Sequence, residues 1–157
     1  MNTYLIVKTL HILSSVLMVG TGFGTAFYLF FANRSNSVET MSVVSRLVCR
    51  ADWWFTTPAV IFQPLSGLWL AHTAGFSWTA PWLLVSFGLY ALAGVCWLPV
   101  VWLQLRMARM AGSAAASGQQ VPERYWHYAR RWELLGYPAF IAMVVVYFLM
   151  VTKPGLG

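Results

Sequence analysis

The chain has 157 residues, 59% of them hydrophobic and only 9% charged, with a mean hydropathy of +0.65. A soluble domain needs about 25% charged residues to hold its water shell, so these charges cannot coat a globule of this size. The net charge of +6 sits in short segments between apolar runs, where it sets membrane orientation and builds no groove for nucleic acid.

Nine Trp and seven Tyr suit helix ends placed at headgroup level, where amphipathic rings are favoured. A length of 157 residues predicts a single domain. A span needs about 20 apolar residues. The first runs over about 4–31, with Lys8 and His11 its only ionisable groups, and Asn33 to Ser37 end it. No basic segment and no small-residue cleavage site precede it, so it reads as a retained helix and not a signal peptide.

The second span covers about 53–72 and contains Pro58 and Pro64. The third covers about 81–105 with Pro99, and the fourth about 134–151 with Pro138 and a stop at Lys153-Pro154-Gly155. In a bilayer these prolines kink helices without ending them. The expectation is an all-α integral membrane four-helix bundle. Between the last two spans, Ala111 to Gly118 reads as a flexible small-residue stretch. Residues 121–132 then read as a basic, aromatic helix lying in the interface.

Arg34, Arg46 and Arg50 occupy the first connection, and Arg106, Arg109, Arg124, Arg130 and Arg131 the third, while 72–80 holds no Lys or Arg. The positive-inside rule places the basic connections in the cytoplasm and both termini on the extracytoplasmic side of a bacterial inner membrane. Cys49 and Cys96 fall in a basic loop and an apolar helix, so both read as reduced thiols.

Ionisable groups at membrane depth are costly and point to function. Lys8 and His11 are three residues apart and share one helix face. Lys8 lies close enough to the surface to snorkel. His11 lies deeper and needs a partner: an iron atom, or a hydrogen bond across helices to Ser, Thr or a carbonyl. His72 ends the second span on the same side, so the two imidazoles are candidates to clamp an iron. His127, on the opposite side, cannot join them. Gly20 and Gly24 form a small-residue face that admits a neighbouring helix or a flat macrocycle. Asp52 and Glu133, near Arg46 and Arg50, suit pairing with Arg50, Arg130 or Arg131, proton handling for a quinone, or anchoring a propionate. Gly20-Thr21-Gly22-Phe23-Gly24 is no dinucleotide fingerprint, because it lies inside a helix. Hydrolase, kinase and zinc-enzyme constellations are missing.

Lys8-Thr9-Leu10-His11-Ile12 resembles the Lys-x-x-His opening of HemJ-type protoporphyrinogen oxidases. Thr57-Pro58-Ala59 with Gly67-Leu68-Trp69-Leu70 resembles their second helix, and Tyr137-Pro138-Ala139 through Lys153-Pro154 their fourth. The chain is similar also to a family of uncharacterised bacterial integral membrane proteins. The HemJ-type resemblance implies a four-helix bundle binding haem b, with His11 as an axial ligand. The chain departs from it at Leu135-Gly136-Tyr137, where that group carries an Asn-Glu pair, and in having no basic residue in the third span before Arg106.

The expectation is a haem b-binding membrane oxidoreductase that passes electrons to quinone. His11 and His72 would be its metal ligands, Lys8 would meet a propionate, and Gly20 and Gly24 would face the ring. The alternatives are a non-enzymatic accessory subunit of a larger membrane complex, or a small-solute transporter acting as a homo-oligomer.

Overall fold

The computed structural model describes residues 2–154 and is wholly helical over its regular elements. Helix α1 spans Thr3–Arg34, α2 Val38–Ala51, α3 Thr57–Thr73, α4 Pro81–Ser117 and α5 Glu123–Thr152. A π segment, Asp52–Thr56, joins α2 to α3 without a break. Helices α1, α4 and α5 are each long and apolar enough to cross a membrane. At 17 residues α3 is shorter, but it continues the π segment and α2. Gly155, placed in the stop after the fourth span, lies outside the described residues; Lys153 ends α5 in the left-handed conformation (φ 40°).

The π segment has a local cause. Pro58 has no N–H to give the carbonyl four residues back, and the helix widens ahead of it, with the Thr57 N–H donating to the Asp52 carbonyl five residues earlier. Such wide turns recur at functional sites because they re-aim side chains. Here both Asp52 and Thr56 end up buried.

The small-residue stretch expected to be flexible is helix. α4 has 37 residues, about 55 Å at 1.5 Å per residue, against a hydrocarbon layer of about 30 Å. It runs through Arg106 and the supposedly flexible Ala111 stretch, ending at Gly118 with φ 65°. Those small residues serve packing: Ala111 is fully buried, Ala114 nearly so, and a Cβ on Gly112 would stand 3.9 Å from Ser42 Oγ of α2. Residues 123–132, expected as an interfacial helix, are the first turns of α5, with Tyr125, Tyr128, Ala129 and Trp132 buried.

These extensions build a core beyond the basic ends of the spans. Leu29, Met41, Val48, Leu103, Met107 and Tyr125 lie at its centre. α2 contributes its apolar stripe to this core; its polar face made the segment read as a loop. Tyr125, fully buried, donates its hydroxyl to Asn33 Oδ1 at 2.6 Å and so ties α5 to the end of α1. Tyr125→Phe leaves that oxygen bare and is expected to cost about 1–2 kcal/mol, read as a lower midpoint of thermal unfolding in detergent. An unchanged midpoint would show that the bond contributes nothing.

A smaller core of Ala71, Trp82 and Leu83 closes the opposite end, with Phe76, Phe87 and Met150 against it. Between the two cores the helices form pairs, α1 with α3 and α4 with α5. The pairs diverge at mid-depth.

Candidate functional site: a cavity inside the bundle

Where the pairs diverge they enclose a cavity of about 400 Å³. Its walls come from α1 (Met18, Gly22, Phe27), α3 (Val60), α4 (Ala93, Gly94, Trp97) and α5 (Gly136, Met143). Aromatic and aliphatic groups dominate the lining, and a Cβ built on Gly22, Gly94 or Gly136 would meet nothing within 4 Å. Between α1 and α5 the lining residues Phe23, Phe27, Tyr137 and Phe140 are exposed, so the cavity opens sideways there. Phe23 and Phe140 cross this opening as a stacked pair, 5.1 Å between centroids.

Polar groups gather at the basic end of the cavity. Asp52, Thr56, Gln104 and Glu133 all line it. Asp52 Oδ1 accepts a hydrogen bond from the Thr56 hydroxyl at 2.9 Å, whereas Oδ2 has no partner. Gln104 Oε1, buried beside it, has none either. Asp52 stands one residue before the second apolar run, and burial pushes its carboxyl above the usual range against the opposing hydrogen bonds of Thr56 and Gln104. Burial, and then the Asp52 charge, push the Cys49 thiol up to about 11. Both cysteines are free, as read from the sequence.

Neither carboxylate pairs with Arg50, Arg130 or Arg131. Glu133 Oε1 instead accepts from Arg34 Nη1 at 3.2 Å, because α1 and α5 meet there, and the Arg34 guanidinium stacks on Phe30 at 3.3 Å. Farther along the cavity from that end, Tyr90 in α4 donates to the Val60 carbonyl at 2.6 Å and holds α3 against the cavity wall.

The histidines lie elsewhere. His11 packs on α3, with Gly67 close enough that a Cβ would meet its Cε1 at 3.3 Å. His11 Nδ1 is 2.7 Å from Ser66 Oγ, whose one hydrogen goes to the Phe62 carbonyl at 2.7 Å. With the hydroxyl hydrogen assigned to that carbonyl, serine accepts from Nδ1–H and Nε2 keeps a free lone pair. Gln63 Nε2 adds a bond to the His11 carbonyl at 2.7 Å. Gly67 explains this close approach, and Gln63, Ser66 and Gly67 share the face of α3 that meets α1.

His72 is five residues beyond Gly67, about 140° further round a helix with 3.6 residues per turn. It is exposed and stacks on Trp78 at 6.2 Å, so the structure does not bring it to His11. Lys8 is exposed, 5.9 Å from the Tyr4 ring. A Cβ on Gly20 or Gly24 would meet nothing within 4 Å, and neither lines the cavity. Among the described residues no three His, Cys, Asp or Glu side chains gather as a metal site. His127 is 3.9 Å from Glu123 at the exposed start of α5.

Sequence reasoning reached Asp52 and Glu133 as polar groups near the membrane. It missed Thr56, Gln104 and the aromatic walls, whose spacing carries no motif.

Long apolar helices around an internal cavity, with lipid-type residues on the outside, define a helical integral membrane protein. Residues 5–154 match the family described as predicted integral membrane protein (DUF2269), and the chain belongs to it. No curated protein and no solved structure matches the chain.

Proposed function

We propose that this protein binds a lipid-soluble molecule with a hydrogen-bonding head group inside its helix bundle, and that the quinone class is the chemistry that fits. The observation that supports this is the shape and polarity of the cavity. It has apolar aromatic walls, a lateral opening between α1 and α5, and one polar end made by Asp52, Thr56, Gln104 and Glu133. Ligand sites combine mostly apolar walls with a few convergent polar groups in this way. A flat ring stacks on Trp97 or Phe27 while its polar substituents meet the carboxyl end, and the molecule enters from the bilayer. On this reading the basic ends face the cytoplasm of a bacterial inner membrane, following the arginine bias, and Asp52 handles protons at that side.

A second reading, haem b held by His11 in a membrane oxidoreductase, has one observation in its favour. The Ser66 bond orients the imidazole and leaves Nε2 free, which is the arrangement an iron ligand requires. His72 does not complete a pair in this conformation, and Lys8 faces no cavity wall. When bound, haem would supply one-electron chemistry; Ser66 and Gln63 would hold the ligating ring.

Ultraviolet–visible spectra of the purified protein, before and after dithionite, separate the two. A bound quinone gives an ultraviolet band that bleaches on reduction, with no visible absorbance. A Soret band that disappears in His11→Ala would instead establish the haem reading. Protein lacking both signals would contradict both readings.

A further inference from the structure

The polar end of the cavity specifies more than a lipid-soluble occupant. Asp52 and Gln104 are each 5% exposed and line the cavity, and each keeps an acceptor oxygen with no partner. Leaving such buried oxygens bare is costly. Among the described residues no donor reaches either oxygen. Thr56 already gives its hydrogen to Asp52 Oδ1, and the Arg34 guanidinium is engaged by Glu133. Val100 and Ala93, lining residues on the same helix as Gln104, are apolar.

We propose that the ligand carries a hydroxyl group that donates its hydrogen into this pair of bare acceptors, Asp52 Oδ2 and Gln104 Oε1. A hydroxyl brings the hydrogen that the two oxygens lack. A carbonyl or ether head has no hydrogen to give and leaves both oxygens bare. The ligand class is therefore a lipid-soluble phenol or alcohol: the quinol form of a quinone, or an isoprenoid alcohol. The inference rests on the reading of the cavity as a ligand site and adds which hydrogen-bond pattern that site selects.

The test is equilibrium binding to the full-length protein in lipid nanodiscs. Four probes are compared: farnesol, farnesyl methyl ether, 2-decylhydroquinone and 2-decylbenzoquinone. Each hydroxyl compound is expected to bind about tenfold or more tightly than its ether or quinone counterpart, the effect of one unsatisfied buried acceptor. The stronger of the two hydroxyl compounds assigns the group to a ring or to a chain. Asp52→Leu is expected to lose about tenfold in affinity for the hydroxyl compound. Asp52→Asn, whose amide oxygen still accepts, stays within about threefold. A thermal midpoint close to the parent shows that each variant has folded, and Asp52→Asn keeps the test valid if the leucine does not fold. Equal binding of hydroxyl and ether compounds would overturn the hydroxyl assignment and leave the cavity a ligand site. Failure of all four to bind would overturn both.

Discussion

Gly94→Leu is expected to abolish ligand binding and to leave the protein as stable as the parent, or slightly more so. Gly94 lines the cavity, and a Cβ there meets nothing within 4 Å. A leucine side chain grows into the open space without displacing a neighbour. Replacing glycine in a helix interior also gains up to about 1 kcal/mol of helix propensity. The two effects have opposite signs, so general misfolding cannot imitate the pattern. Gly94→Ala adds one methyl and is expected to keep binding within a few-fold. Ligand titration with thermal unfolding of the same preparations checks both variants. A Gly94→Leu protein that binds as the parent does would remove the cavity from the account.

The second large effect lies in the basic-end core. Met107 is fully buried among α2, α4 and α5. Met107→Ala is expected to destabilise by about 2–5 kcal/mol, the range for truncating a buried side chain where the surroundings relax only partly. For a chain of this size that lowers the unfolding midpoint by roughly 4–20 °C. The matching control is Val95→Ala on the same helix. Val95 is 68% exposed, faces lipid, and should change stability by less than about 0.5 kcal/mol. Equal losses at the two positions would mean that the core beyond the spans is not what holds the helices together.

The sequence made the membrane helices legible because a span is a simple signal, about 20 apolar residues in a row. The stretches beyond the spans were harder to read. Val38–Ala51 and the end of α4 are amphipathic, and their buried partners come from distant parts of the chain, so their Arg and Ser residues looked like loop. The Ala111 stretch was misread for a related reason: small residues signal flexibility in an exposed segment, but here they allow α2 and α4 to approach closely. Pro58 was visible as a disturbance, though its outcome, a π segment that turns Asp52 and Thr56 inward, depends on the packing around it.

The candidate site was only partly legible. Asp52 and Glu133 stood out as acids beside membrane spans. Their partners did not, since Arg34 is 99 positions from Glu133 and Gln104 belongs to another helix. His11 drew attention as a buried imidazole, and the structure gives it Ser66, 55 positions away. His72 looked like its companion because both lie toward the same side of the membrane; rotation about α3 sends it to Trp78 instead.

The most direct measurement of the central claim is native mass spectrometry of the protein released from its own membrane, run beside Gly94→Leu. The account predicts one stoichiometric small-molecule adduct on the parent, extractable into organic solvent, and its absence from the variant. A parent protein without an adduct, or an adduct of equal mass and occupancy on both, would contradict it.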